Sequence, residues 1–203
     1  IGLMVSHVEK NGTVRFSNLG SVLPRYLPGS RVKFLNGIRG MIDSVKPDDL
    51  TKIQPLNQFF IDVGASSEKD CPVKASDVAI FDRDFTDLGQ RVISKAMDDR
   101  SSCAILVEAI KKIKETPHEL YFVFSVQEEV GSRGATTAAF GMDVDLGIAL
   151  DVTPVGHLMG IKMQVDLGKG PAIKVRDVGF IADSSVVNWM VDSAKAIKIP
   201  YQM

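Results

Sequence analysis

The residues of this chain best suited to chemistry are two adjacent carboxylates, Glu128 and Glu129, which follow an apolar segment. Residues 121–126 alternate aromatic and β-branched side chains, and Gly131 follows the two acids after one valine. This pattern predicts a buried strand, because parallel strands covered on both faces are nearly continuous apolar runs. In open α/β sheets, ligands bind in a crevice outside the carboxyl ends of the strands. We therefore expect Glu128 and Glu129 to lie at a functional site.

Two further apolar segments end in acidic residues. Residues 92–97 lead into Asp98 and Asp99, and residues 146–150 lead into Asp151. Clustered carboxylates raise one another's pKa unless a positive charge lies among them. A divalent metal supplies that charge, and a water bound to it is a nucleophile near neutral pH. The three segments together predict a metal-dependent hydrolytic site, although the first acidic pair, taken alone, could equally begin a helix.

The segments that carry these acids resemble those of a known family. The matching segments are residues 95–100 (KAMDDR), 126–135 (VQEEVGSRGA) and 149–154 (ALDVTP), with weaker matches at residues 1–5, 60–67 and 167–172. They follow one another in the family's order along essentially the whole chain. The chain therefore resembles the co-catalytic dinuclear metallo-aminopeptidases of the glutamyl aminopeptidase and cellulase-like group, the tetrahedral aminopeptidases.

This resemblance implies a role for each acid. Asp98 would bridge two metals, and Glu129 and Asp151 would each bind one of them. Glu128 would be the general base that takes a proton from the metal-bridging water and passes it to the leaving amine. Asp99 would support the site and would follow a cis peptide bond after Asp98.

The resemblance also implies the cofactors, the activity and the assembly. Two divalent ions are expected, and zinc, cobalt and manganese all suit such a site because their preferred ligand sets overlap. Arg100 would support the site by pairing with one of its acids, and a structural salt bridge is at least as favoured for this arginine as substrate binding. The implied activity is the removal of N-terminal residues from peptide substrates. The implied assembly is a cytoplasmic homo-oligomer, for which a dodecamer is one candidate.

Two metal-binding histidines of the family pattern have no counterpart here. One belongs to a His-Xaa-Asp-Glu segment just before the equivalent of Ile1, and the other lies well beyond Gln202. Ordinary surface or core roles are favoured for the histidines that are present, His7, His118 and His157. We therefore expect a chain that is truncated at both ends relative to the family and is nearly inactive by itself.

Two other functions stay open. A chain of the same fold could serve only in assembly with partners, without a bond-cleaving site of its own. A glycosidase is the second alternative, because two carboxylates suffice for that chemistry. It is less favoured, since the acid-rich segments have few aromatic residues for sugar binding.

Composition excludes some classes of partner. The formal net charge of −1 provides no basic stripe for nucleic acid. No apolar run approaches the length that spans a membrane. We therefore expect neither nucleic acid nor membrane as a partner and place the protein in the cytoplasm.

The pattern of elements changes along the chain. Asn11-Gly12 and Asn36-Gly37 each lie between alternating segments, which is a strong hairpin signal. From about Asp82 onward, helical periodicity appears at residues 101–115 and 184–198, and strands alternate with these helices. The sequence therefore predicts the α/β class, with a small antiparallel barrel or sandwich near its start.

The resemblance assigns these parts to domains. Residues 1–3 would begin a zinc-peptidase-like catalytic domain, in which helices flank a mixed sheet. Residues 4–81 would form an inserted antiparallel β-barrel that serves as lid and dimerisation domain. Residues 82–203 would continue the catalytic domain.

Overall fold

The computed structural model describes residues 1–46, 49, 51–158, 161–162 and 164–203. The chain divides into two compact units, residues 1–150 and residues 151–203. Helices α1 (Met97–Lys112) and α2 (Arg133–Phe140) belong to the first unit, and α3 (Ser184–Ala196) belongs to the second. Within the described ranges, no helix combines the length and the apolar character needed to cross a bilayer.

Six antiparallel strands form a closed barrel in the first unit. They are β1 (Gly2–Val8), β2 (Val14–Leu19), β3 (Arg31–Phe34), β4 (Arg39–Ser44), β5 (Phe59–Asp62) and β6 (Val78–Phe81). Their order around the barrel is β1-β2-β5-β4-β3-β6, and pairing between β6 and β1 closes it. This architecture confirms the small antiparallel barrel predicted from the sequence.

Both Asn-Gly pairs lie in the predicted hairpin turns. In the first turn, Asn11 Oδ1 accepts a hydrogen bond of 3.1 Å from the backbone nitrogen of Thr13, and Gly12 has a φ of 85°. The second turn has the corresponding asparagine bond, and Gly37 has a φ of 89°. Glycine adopts such positive φ angles without steric cost. Local turn chemistry therefore sets the β1–β2 and β3–β4 hairpins.

The main hydrophobic core lies inside the barrel. Its side chains alternate along the strands, as in the pairs Leu3 and Val5 of β1 and Phe59 and Ile61 of β5. A strand with period-two alternation buries one face and exposes the other. The core consists of Leu3, Val5, Val14, Phe16, Leu27, Val32, Phe34, Ile42, Phe59, Ile61, Val73 and Ala79.

The mixed sheet predicted for the catalytic domain is not formed by the described residues. Residues 121–126 and 146–150 are not in strands, and residues 92–97 contribute only the two-residue strand β8 (Val92–Ile93), which pairs with β7 (Thr86–Asp87). A strand needs a neighbour to satisfy its backbone hydrogen bonds. The segment at residues 121–126 instead exposes apolar side chains, and Val126 is 70% exposed.

Hydrogen bonds from a single side chain organise part of the second unit. Gln202 Oε1 accepts from the backbone nitrogen of Asp166 at 2.8 Å, and its Nε2 donates to the carbonyls of Asp166 and Gly170 at 3.0 and 2.9 Å. The backbone nitrogen of Gln202 also donates to the Pro171 carbonyl at 2.9 Å. This glutamine therefore fastens residues 166–171 to residue 202. The same unit contains the hairpin of β9 (His157–Leu158) and β10 (Ile161–Lys162).

Candidate active site

The two adjacent glutamates lie in a single 3-10 turn, Glu128–Val130. Left-handed residues flank this turn, with Gln127 at φ 57° and Gly131 at φ 109°. The Glu128 carbonyl accepts hydrogen bonds from the backbone nitrogens of Gly131 at 2.9 Å and Ser132 at 2.8 Å. A non-glycine residue with positive φ persists only where its surroundings hold it there, and such residues cluster at functional sites.

Helix α2 fastens this turn to the segment that precedes it. The backbone nitrogen of Gly134 donates to the Val126 carbonyl at 3.0 Å, and that of Arg133 donates to the Gln127 carbonyl at 3.3 Å. A Cβ on Gly134 would lie only 2.7 Å from the Val126 backbone nitrogen, so no other residue fits this position without movement of the backbone. The glycine allows the close approach that fixes the glutamate turn.

The two glutamates have different environments. Glu129 Oε1 is buried and accepts no hydrogen bond from the described residues, but it forms an ion pair of 3.6 Å with the N-terminal nitrogen of Ile1. Glu128 is exposed, and the Ser132 hydroxyl donates to its Oε1 at 3.3 Å. A buried carboxylate oxygen without a donor is costly unless a cation or a hydrogen bond compensates it. Glu129 is therefore suited to bind a cation, and Glu128 is accessible to substrate and water.

A residue at the end of a barrel strand lies beside the Glu129 side chain, which the sequence did not indicate. Gly20 directly follows β2 and has a φ of 79°. A Cβ at this position would lie 3.2 Å from Glu129 Cβ and 3.3 Å from Glu129 Oε2. The sequence signal was slight, because a glycine after a strand is an ordinary turn residue.

The predicted cis peptide bond between Asp98 and Asp99 is present at the start of α1, which confirms that expectation. Both residues have non-helical backbone angles. Asp99 Oδ1 accepts hydrogen bonds from the Ser102 backbone nitrogen at 3.0 Å and from the Ser101 hydroxyl at 3.1 Å. Asp99 therefore caps the regular part of α1. Arg100 follows it and is exposed.

Asp151 opens the second unit. Its Oδ1 accepts a hydrogen bond of 2.7 Å from the backbone nitrogen of Val152, and the residue is exposed. It lies outside the named strands, although the sequence predicted it at a strand end.

The predicted ligands are chemically suited to a divalent metal, but the described residues do not bring enough of such side chains together to hold one. Asp98, Glu129 and Asp151 offer the carboxylate oxygens that divalent cations accept. Within the part of the chain that is described, however, no three His, Cys, Asp or Glu side chains form a group that could hold a metal ion. Among these acids, Glu129 is the one whose buried oxygen accepts no hydrogen bond from the described residues, and it faces the N-terminal nitrogen of Ile1 at 3.6 Å.

Comparison with known proteins decides the family. The family of M42 glutamyl aminopeptidases matches residues 1–203. The chain belongs to this family.

Individual relatives of the M42 chain agree with this assignment. A curated protein from Acetivibrio thermocellus is 45% identical over 207 residues, which cover 100% of this chain and 62% of that protein. The solved structure of aminopeptidase APDkam598 from the archaeon Desulfurococcus kamchatkensis is 37% identical, with a TM-score of 0.92, and the match covers 100% of this chain and 60% of that one. A TET1 peptidase from Pyrococcus horikoshii, described as able to assemble into a tetrahedron or a large octahedral shell, is 30% identical, with a TM-score of 0.85, over 99% of this chain and 64% of that one.

The M42 chain spans about three fifths of the length of these relatives. The fold similarity extends over the whole of the described chain, because the coverage of this chain is 99% or more in both structural matches.

Proposed function

We propose that this chain provides acidic residues of a metal-dependent aminopeptidase site, in which Glu128 is the general base. The observation that carries the proposal is the contrast between the two adjacent glutamates. Glu129 has a buried oxygen without a hydrogen bond, whereas Glu128 is exposed. Membership of the M42 glutamyl aminopeptidase family supports peptide N-termini as the substrate class.

Asp98, Glu129 and Asp151 are the proposed metal ligands. Asp98 would hold both of two divalent ions, and each of the other acids would hold one. Zinc and cobalt are the first candidates and manganese is the third, since all accept carboxylate oxygens. When bound, the ions would polarise the scissile carbonyl group and lower the pKa of the attacking water.

The exposure of Glu128 supports the role of general base, which must be accessible to water and substrate. Its exposed carboxylate takes the proton of the attacking water and delivers it to the leaving amine. The Ser132 hydroxyl, which donates to Glu128 Oε1, limits the rotation of this carboxylate. Asp99 supports the site by capping α1, and Arg100 contributes a positive charge next to it.

The domain roles and the assembly are part of the same proposal. Residues 4–81 would act as the lid and dimerisation domain, and residues 82–203 would belong to the catalytic α/β domain. The resemblance also assigned residues 1–3 to the catalytic domain, but Gly2 and Leu3 lie in strand β1 of the barrel. The contact between Gly20 and Glu129 supports a barrel that borders the site. The similarity to the TET1 peptidase supports a homo-oligomer, and we propose a cytoplasmic one.

Glutamate-to-glutamine variants test the two roles separately. The 203-residue chain, and any longer natural polypeptide that contains it, is assayed for bound metal and for release of N-terminal residues from peptides. Glu128→Gln should retain its metal and lose activity by about 100-fold or more, whereas Glu129→Gln should lose metal. Glu115→Gln is the matched control, because Glu115 is exposed and lies outside the glutamate turn.

Each alternative function predicts a different result. Full peptidase activity in Glu128→Gln would exclude the assigned base. Release of sugar from aryl glycosides without peptidase activity would favour a glycosidase. Absence of both metal and hydrolysis in every form, together with ordered assembly, would favour a purely structural role.

A further inference from the structure

Gly20 lies so close to Glu129 that a side chain at position 20 would require its neighbours to move by a few tenths of an ångström. The Cβ of an alanine there would meet Glu129 Cβ at 3.2 Å, Glu129 Oε2 at 3.3 Å and Ile1 Cγ1 at 3.2 Å. These separations are shorter than ordinary contacts between carbon atoms, which lie at about 3.5–4.0 Å. The Glu129 side chain therefore occupies the space that a side chain at position 20 would need.

The barrel holds Gly20 in place. The Asn18 Nδ2 donates a hydrogen bond of 2.6 Å to the Gly20 carbonyl. The preceding residue, Leu19, is the last residue of β2 and pairs with Gly2 of β1. Because these contacts join Gly20 to two strands of the closed barrel, an added side chain would displace Glu129 rather than the glycine.

Packing fixes the position of the Glu129 carboxylate. Its Oε1 has no hydrogen-bond partner among the described residues. The N-terminal nitrogen of Ile1 lies 3.6 Å from that oxygen, so this ion pair and the packing against position 20 are the contacts that position the carboxylate. The glutamate turn itself is fixed on its other side by α2, through the bond from Gly134 to the Val126 carbonyl.

We propose that Gly20 is a positioning residue for the metal site, through which the wall of the barrel sets the carboxylate of Glu129. This inference rests on the proposed function, because it takes Glu129 to be a metal ligand. It adds that a barrel residue, remote in sequence from every proposed ligand, controls the affinity for the metal. Outer residues that orient metal ligands commonly change metal affinity by about 10- to 100-fold.

The test compares Gly20→Ala with Gly64→Ala. Gly64 also lies in the barrel region and has nearly the same φ, 80° against 79°, but a Cβ at position 64 would meet nothing within 4 Å. Both variants therefore impose the same backbone strain, and only one adds an atom against Glu129. Metal-free protein is titrated with Co²⁺ and followed by its visible absorption, and thermal unfolding is measured in parallel. We expect similar losses of thermal stability and a loss of Co²⁺ affinity of about 10-fold or more in Gly20→Ala alone.

A double-variant cycle determines whether Gly20 acts through Glu129. In a Glu129→Ala background, Gly20→Ala should leave the remaining Co²⁺ affinity unchanged. An equal loss of affinity in the wild-type and Glu129→Ala backgrounds would overturn the inference. If Gly20→Ala does not fold, Asn18→Ala replaces it. This variant removes the hydrogen bond that holds the Gly20 carbonyl, so the part of the barrel that positions Glu129 should become less rigid and Co²⁺ affinity should fall. Unchanged Co²⁺ affinity in Asn18→Ala would then overturn the inference.

The two levels of the proposal fail in different ways. If Glu129→Gln binds Co²⁺ as tightly as the wild type, or if the wild type binds none, the ligand role of Glu129 fails and this inference fails with it. If Glu129→Gln weakens binding while Gly20→Ala and Gly64→Ala bind equally well, only the positioning role of Gly20 is wrong.

Discussion

The carboxylate of Asp99 accepts a hydrogen bond of 3.0 Å from the backbone nitrogen of Ser102, three residues further along the chain. This is the bond by which an N-cap side chain satisfies a free donor in the first turn of a helix. Asp99 therefore stabilises the first turn of the regular part of α1. Its role differs from the ligand role proposed for Asp98.

Replacing Asp99 by alanine should destabilise the chain. Loss of the cap should lower the free energy of unfolding by about 1 kcal/mol, whereas Asp99→Asn, which keeps an acceptor oxygen, should cost much less. Urea unfolding followed by circular dichroism measures both changes. A variant Asp99→Ala that keeps its full stability but loses all metal would instead indicate that Asp99 is itself a ligand.

The barrel core should be sensitive to truncation. Ile61 in β5 is fully buried, with 0% exposure, and Ile61→Ala should lower the free energy of unfolding by about 2–5 kcal/mol. The control is Leu35→Ala, because Leu35 is 81% exposed and should change this free energy by less than about 0.5 kcal/mol. Equal effects of the two variants in urea unfolding would contradict the position of the core.

Helix α3 should lose stability at acidic pH. Its N-cap Asp183 accepts hydrogen bonds from the Ser185 hydroxyl and from the backbone nitrogens of Ser185 and Val186. The bond from the Ser185 hydroxyl, followed by those from the backbone, lowers the pKa of Asp183 from its ordinary value of 3.8. A depressed pKa in the folded state means that the stabilisation is complete above about pH 3.8 and is lost as the pH falls below it.

Asp183→Asn provides the check on this pH dependence. Asparagine caps a helix about as well as aspartate but does not titrate. Amide hydrogen exchange at Val186 and Val187, measured relative to the intrinsic exchange rate at each pH, should therefore accelerate below pH 3.8 in the wild type and change less in the variant. The same acceleration in both proteins would show that another group is responsible.

The Gln202 side chain should stabilise the backbone conformation of residues 166–171. Gln202→Ala removes three side-chain hydrogen bonds to Asp166 and Gly170, each with a net value of about 1 kcal/mol. Gln202→Glu keeps the acceptor for the Asp166 nitrogen but places a carboxylate oxygen against the carbonyls of Asp166 and Gly170, so its effect should be at least as large as that of alanine. Hydrogen exchange at Asp166 measures the loss, and unchanged protection in Gln202→Ala would contradict this role.

The sequence predicted those parts of the fold that depend on local chemistry. Asn11-Gly12 and Asn36-Gly37 set their hairpins through bonds within a few residues, and alternation marked the faces of the barrel strands. The contact of Gly20 with Glu129 could not be predicted, because it joins two distant segments across a space defined only by the folded barrel. The left-handed conformation of Gln127 was equally hidden, because the surrounding structure and not its residue type imposes it.

The mixed sheet shows the limit of apolar patterns. The aromatic and β-branched residues at positions 121–126 predicted a strand, but a strand is a property of two paired segments. Among the described residues this segment has no strand partner, and its apolar side chains are exposed or half-buried. The apolar pattern therefore identified a segment with the composition of a strand, but it carried no information on whether a second segment would pair with it.

The pairing of β1 with β6 brings the two ends of the barrel segment together. Leu3 lies opposite Ala79, so the chain enters and leaves the barrel at neighbouring points. Adjacent strands are about 5 Å apart, which is a gap that a very short linker can close. A linker of this length between positions 3 and 79 would therefore replace the entire barrel without separating the two positions that it joins.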